Sequence, residues 1–488
     1  MRRTHARCKN VGALRFRSAF PSWAVRGVWV ALVATTALTG VATQRAIADT
    51  LAGALALAYR NNPQLNSQRA ATRATDENVG IALSGYRPKV AASAQAGEQY
   101  LDSLTKAGAG LGSSRMAGAI ATAAYGLTVN QTLFDGFQNA GRTRQAEAQV
   151  FAARETLRAA EQAVLLTAAT SYMNLLRDGA LLGLQQNNVK VLEATLRQTR
   201  DRFQVGEVTR TDLAQAESSL AAGRSALHAA ESNYIASKSA YLQVIGVEPG
   251  KLANASPVDR FFPPTLAAAL ARGAAQNPAI AAAMYNVDAA IEQVKIGEGA
   301  LYPTVSLNGS VAKNYGSASS LSTLETLSGA VIGVVSVPIY QGGAEYATIR
   351  QAKETLGQRR LDLDTARLSV QQSITQDWGQ LEAAKAQIDA TTAQVTSAEI
   401  ALDGVREEAR VGQRTTLDVL NAQQALVSAR TALVTAQHDR IVASYGVLAA
   451  VGSLSPQVLG LNIEVYDPTV HYHQVRDAWI GVRTPDGR

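Results

Sequence analysis

The chain has 488 residues, 47% of them hydrophobic but only 6% aromatic and 17% charged, with a formal net charge of +7 and a single cysteine. One cysteine, Cys8, excludes an intrachain disulfide framework and a thiolate metal cluster. The positive charge is uneven: residues 1–48 hold eight of the 46 Lys and Arg and none of the 39 Asp and Glu, so the remainder carries 38 against 39 and gives no reason to expect nucleic-acid binding.

Residues 1–48 read as a secretory signal peptide. A basic stretch with Arg2, Arg3, Arg7, Lys9, Arg15, Arg17 and Arg26 precedes an apolar run from about Val28 to Val41, and Ala46-Ile47-Ala48 forms an A-x-A cleavage site. The apolar run is shorter than the roughly 20 residues a membrane-spanning helix needs.

An internal repeat organises the chain from residue 49 onward. "TLAGALALAYRNNPQL" from Thr50 matches "TLAAALARGAAQNPAI" from Thr265, and "VNQTLFDGFQNAGRTRQAEA" from Val129 matches "VSVPIYQGGAEYATIRQAKE" from Val335. The reading gives a first repeat over 49–246, a Pro-rich linker over 247–264, a second repeat over 265–452 and a C-terminal tail over 453–488.

Within the first repeat, a strand hairpin is expected at about 88–134 and a helical hairpin at about 136–246; the second has counterparts at about 303–340 and 342–452. The strand segments alternate. "TVSLNGSVAKN" sets Val305, Leu307, Gly309 and Val311 against Ser306, Asn308 and Ser310, and "YGLTVNQTLFDG" puts Tyr125, Leu127, Val129, Gln131 and Leu133 on one face. Strands of about nine to twelve residues suit a tilted bilayer crossing. The Gly/Ser-rich segments 107–118 and 316–329 read as the hairpin loops. Tyr86 and Phe134, then Tyr302 and Tyr340, sit at the strand ends nearest the helices, as an interfacial aromatic girdle or as simple strand formers. Four strands leave open edges that lipid does not tolerate, so the chain must oligomerise.

The helical segments lack proline and carry heptads. Leu175, Leu182, Val189, Leu196 and Phe203 are each seven apart, and Leu381, Ile388, Val395 and Leu402 repeat the pattern. A second stripe of small residues, Ala216, Gly223, Ala230 and Ser237, gives each helix a second seam. Such helices suit the wall of a hollow cylinder; an ordinary bundle is the alternative, and a length of roughly 100 Å counts against it. Both long helices end at Val-Gly, Val205-Gly206 and Val411-Gly412, where glycine can take the left-handed conformation. Thr209 and Thr415 then fit as N-caps of the return helices, with Asp212 and Asp418 three residues on as capping partners.

The paired "NP" helix starts at Asn62-Pro63 and Asn277-Pro278, the "LFDG" and "IYQGG" junctions and the two "VG....D" turns together resemble the TolC-like outer-membrane channel family over Thr50 to about Val465. The resemblance implies an α+β membrane protein: a homotrimer in which each chain contributes four strands to one transmembrane β-barrel, continuous with a long α-helical coiled-coil periplasmic tunnel. It implies outer-membrane lipid, a periplasmic adaptor and an inner-membrane ABC or proton-driven transporter as partners, no cofactor and no catalysis. Adaptor docking would fall on the turn tips Val205, Gly206, Val411 and Gly412.

The same resemblance implies a periplasmic gate. In it Arg414 bonds to Thr211 and Asp212 of a neighbouring hairpin, and Asp418 forms an acidic ring around the lumen. Asn421 stands where family members can carry a second acidic ring, and Ala409 where a gating tyrosine can occur. The tail "VYDPTVHYHQVRDAWIGV" looks like that of members serving type I protein secretion, which puts protein export ahead of drug efflux. A single-hairpin periplasmic adaptor fits the duplication less well. An enzyme fits least, because no nucleophile elbow, HExxH or P-loop is present and the His471/His473 pair lacks further ligands.

Overall fold

The computed structural model describes residues 50–106, 113–317 and 325–485. The expected signal peptide therefore lies outside the described residues.

Absence of proline lets two helices run without interruption. Helix α3 spans Gln138–Gln204 and α7 spans Ala344–Arg410, 67 residues each and roughly 100 Å at about 1.5 Å per residue. Each returns through a tight turn into a shorter antiparallel helix, α4 (Arg210–Ile245) after α3 and α8 (Thr416–Ala450) after α7. The heptad residues help make these seams: Val189 and Leu196 are buried between α3 and α4, with Leu192 and Leu220 beside them.

The "NP" motifs explain how the shorter helices match the long ones. Each repeat begins with a short helix, α1 (Leu51–Asn61) or α5 (Leu266–Gln276), that breaks at an asparagine before α2 (Pro63–Leu83) or α6 (Pro278–Gly299). Asn62 Oδ1 accepts from the backbone N–H groups of Gln64 and Leu65, capping α2, while its Nδ2 donates to the carbonyl of Val244 in the last turn of α4 at 3.1 Å. Asn277 does the same between the N–H of Ala279 and the carbonyl of Ala450 at the end of α8, at 2.8 Å. One side chain satisfies orphan groups on two helix ends at once, so α4 stacks on α2, and α8 on α6, as broken but continuous rods. Asn62→Asp can cap but cannot donate to Val244; Asn62→Ala does neither. Thermal unfolding is expected to rank wild type above Asp above Ala, with Ala losing about 1–2 kcal/mol.

The main core lies midway along the rods. Leu55, Tyr59, Leu165, Tyr172, Tyr241, Ile245, Leu448 and Leu454 are fully buried where α1, α3, α4, α8 and the tail meet. A smaller core around Ile374, Leu381 and Val447 joins α5, α7 and α8.

The strands form one antiparallel sheet in the order β1-β2-β3-β4. They are longer in the first repeat than its alternation suggests: β1 spans Lys89–Lys106 and β2 Ser113–Phe134, against β3 Thr304–Ser317 and β4 Glu325–Ser336. Half of the two Gly/Ser-rich stretches read as loops is thus strand, because cross-strand hydrogen bonds pair Lys106 with Ser113 and Tyr315 with Glu325. Only 107–112 and 318–324 of those stretches fall outside the described residues. Strand β4 ends at Ser336 rather than near Tyr340, since Pro338 has no N–H to continue the ladder. Leu133 does not continue its expected face: register shifts between Thr132 and Phe134 make it the extra residue of a β-bulge.

Cross-strand register sorts the sheet into two faces. Val90, Leu127, Val129, Leu307, Val311, Val331 and Val335 share one, and Ser93, Gln95, Thr128, Asn130, Asn308, Ser310 and Ser328 share the other. Among the described residues none covers the apolar face, where Val90, Val311, Val331 and Val335 are exposed. Among the described residues, no helix is long and apolar enough to cross a membrane.

Candidate functional site

Two places on this frame carry the residues of interest: the far ends of the helical hairpins and the junction between helices and sheet.

At the hairpin ends the two copies fold alike. Gly206 and Gly412 have φ of +77° and +80°, and each lies in a doubly bonded C-terminal turn, with Glu207 N donating to Arg202 O and Gln413 N to Glu408 O, both at 2.9 Å. Val205 and Val411 are exposed beside them. Return helices start with full capping boxes: Asp212 N donates to Thr209 Oγ1 while Asp212 Oδ2 accepts from Thr209 N, and Asp418 and Thr415 repeat the arrangement. Hydrogen bonds from the Thr209 hydroxyl and backbone hold the Asp212 carboxyl below the usual range, and those from the Thr415 backbone and hydroxyl do the same for Asp418.

Depressed native pKa values fix the sign of the pH response. The caps are at full strength above the unfolded carboxylate value of about 4 and are lost as pH falls through the native value. Amide protection factors over 206–214 and 412–420 are therefore expected to drop below about pH 4, and Thr209→Ala removes that dependence from the first turn.

The copies differ at Arg414, whose counterpart is Val208. Arg414 Nε donates to Glu408 Oε2 at 2.7 Å across its own turn. Within one chain its partner is thus Glu408, a residue the sequence reading left out although it stands six positions away. Thr211 is exposed on the first turn of α4 and Asn421 on the second turn of α8.

At the junction, Phe134 and Phe137 meet edge to face with centroids 5.3 Å apart, and Tyr86, Tyr302 and Tyr340 are exposed at the same end of the sheet. Phe137 holds a left-handed φ of 66° where the second repeat has Gly343 at 84°. The repeats also touch tightly here: a side chain on Gly136 would lie 2.2 Å from the Gly299 carbonyl oxygen. Farther along the sheet stands a second polar-aromatic row, with the Tyr125 and Tyr315 hydroxyls 3.3 Å apart and Lys313 Nζ 2.5 Å from Glu325 Oε1. Eight register steps separate Phe134 from Tyr125 across the bulge, which at barrel-strand tilt is roughly 20 Å of height, close to that of an outer-membrane apolar band.

The histidines belong to structure. His438 is buried, its Nε2 2.9 Å from Asn174 Oδ1 and its Nδ1 2.8 Å from Asp439 Oδ1, and His228 pairs with Glu231 at the surface. His471 lies in α9 (Pro468–Val475), started by an Asp467 N-cap and Pro468 at the first position, a signal legible in "DPT".

The profile of the Outer membrane efflux protein family matches the chain twice, over residues 54–247 and 270–453. The chain belongs to this family. The outer membrane efflux protein BepC of Brucella suis biovar 1 is 43% identical over 466 residues, covering 94% of this chain and 96% of that protein. The outer membrane protein TolC of Escherichia coli K12 is 27% identical, with 84% and 83% covered. The crystal structure of the Campylobacter jejuni CmeC outer membrane channel superposes with a TM-score of 0.72 at 18% identity, covering 88% of this chain and 89% of that one, which shows the shared fold. Family membership makes the protein an outer-membrane efflux or secretion channel of a Gram-negative bacterium, with strands in the membrane and helices forming a periplasmic tunnel. It is not an enzyme.

Proposed function

We propose that three copies of this chain form one export conduit, fed by an inner-membrane transporter through a periplasmic adaptor. The observation that carries the trimer is a panel with two unfinished sides. Strands β1 and β4 are both sheet edges, and the helices beside them expose apolar residues, Leu361 and Leu368 on α7 and Ile81 on α2. Joining β4 of one copy to β1 of the next covers both edges, and three four-stranded panels reach a strand number that closes in lipid.

For cargo, small-molecule efflux fits better than protein secretion. The C-terminal segment that favoured type I secretion has a structural occupation: Tyr466 N donates to Tyr59 Oη, His471 bonds to Asp76 and Arg476 faces Glu147. Its sequence then says little about cargo, and of the relatives the 43% identical one is named an efflux protein while more distant ones are named for protease secretion. A deletion strain separates the readings. Efflux predicts hypersusceptibility to bile salts and hydrophobic antibiotics with an unchanged set of secreted proteins; loss of secreted proteins at unchanged susceptibility establishes type I secretion instead.

Proposed gate residues are Arg414 facing Thr211 and Asp212 of the adjoining hairpin, with Asp418 and Asn421 lining the constriction. The turn tips Val205, Gly206, Val411 and Gly412 are the proposed adaptor contacts. Tyr86, Phe134, Tyr302 and Tyr340 are proposed as the periplasmic-side girdle.

A further inference from the structure

We propose that residues 478–482, "AWIGV", are an interfacial membrane anchor that lays Trp479, Ile480 and Val482 into the periplasmic leaflet of the outer membrane.

Exposure first singles the segment out. Trp479, Ile480 and Val482 are 69%, 96% and 100% exposed, although Leu454, His471 and Val475 earlier in the tail are buried. Its position is set by a series of contacts that climb α2 in step. His471 Nδ1 meets Asp76 Oδ2 at 3.0 Å, Tyr472 packs near Val79, the Val475 carbonyl lies against Gly80, and the Ala478 carbonyl accepts from Arg87 Nη1 at 2.6 Å. The tail thus ascends the last turns of α2 and arrives at Arg87. Arg87 stands between Tyr86 of the aromatic row and Lys89, the first residue of β1, so the segment ends level with the start of the membrane-crossing strands.

Chemistry then favours lipid as the occupant. The Arg87 guanidinium lies over the Trp479 ring at 4.7 Å, and Arg483 is exposed just beyond Val482. Indole flanked by arginines and followed by aliphatic side chains is the composition of a bilayer interface, where the ring sits at headgroup depth and cations meet lipid phosphates. The other available cover is the next protomer's Val337–Tyr340 stretch, which brings no acidic group for these arginines.

Tryptophan content makes the test direct. Outside the leader, only Trp378 and Trp479 are present, and Trp378 packs edge to face on Phe262 far down α7. Trp378→Phe protein is purified from outer membranes, confirmed by mass to lack the leader, and reconstituted into phosphatidylethanolamine/phosphatidylglycerol vesicles containing brominated phosphatidylcholine. Trp479 emission is expected to shift to the blue relative to free tryptophan and to lose intensity, more with bromines near the glycerol end than near the chain terminus. Trp479→Phe protein, which reports Trp378, shows no such loss. Emission at the water position, unquenched by any brominated lipid, overturns the proposal. So does an unquenched Trp479 together with a disulfide between Ile480→Cys of one protomer and Ile339→Cys of the next, which assigns the segment to the protomer seam.

Discussion

Arg414→Ala channels are expected to open several-fold more often than wild type in planar bilayers, and Glu408→Gln channels less often. The opposite signs follow from one competition. Arg414 is held within its own turn by Glu408, 2.7 Å away, whereas in the proposed closed trimer its guanidinium reaches Thr211 and Asp212 on the neighbouring hairpin. Removing the arginine removes the closing contact. Neutralising Glu408 weakens the internal partner and leaves the guanidinium free for the neighbour. Asp212 and Asp418 keep their capping bonds in either case, because Thr209 and Thr415 are untouched. An exposed pair of this kind is sensitive to screening, so the difference between the two variants shrinks as salt is raised. Equal open probability for Arg414→Ala and wild type removes Arg414 from the gate. An increase with both variants shows that the bond to Glu408 itself is what keeps the turn closed.

Asp76→Ala is expected to loosen the C-terminal strap, at a cost of about 2 kcal/mol, because His471 is left buried without its partner. Asp76 and His471 are 0% and 8% exposed, and their bond joins α2 to α9 across 395 positions of sequence. Asp76→Asn keeps an oxygen to accept from the ring and is expected to recover most of the loss. Trypsin cleavage at Arg476 and Arg483 is the readout: faster in Asp76→Ala, near wild type in Asp76→Asn. Unchanged cleavage in Asp76→Ala means that the Tyr466 and Arg476 contacts hold the strap without the pair.

The strap and the turns answer acid in opposite ways. Burial raises the Asp76 carboxyl above its ordinary value, with the His471 bond pulling the other way, so its native form takes up a proton before the unfolded form does. Its contribution is therefore complete below the unfolded pKa and declines as pH rises through the native one, whereas Asp212 and Asp418 lose theirs as pH falls. Acidification below about pH 4 weakens the caps at the turns while leaving the Asp76 end of the strap protonated and tolerated in its buried site.

Features that act within a turn or two of chain were legible in the amino-acid order alone. Absence of proline set the two 67-residue helices, glycine after valine ended them, and T-x-x-D restarted the chain in the other direction. Heptad spacing named the seam leucines, and duplication of the whole pattern, with the "NP" and "VG....D" motifs in order, carried the family resemblance. These are legible because proline, left-handed glycine and capping oxygens work on the few backbone groups beside them. Features that need a distant partner emerged only on folding. Strand β2 begins inside a Gly/Ser-rich stretch, at Ser113, because β1 supplies the partner for its hydrogen bonds, and the bulge at Leu133 appears only against Val305 and Ser306. Asn62 looks like a plain N-cap until Val244 is brought to its amide, and His471 looks like part of a polar tail until Asp76 is beside it. Arg414 looks free to cross to a neighbour until the turn sets Glu408 in reach. In each case the residue type was visible in the chain, but the satisfaction of its donors and acceptors was settled by segments that only folding brings together.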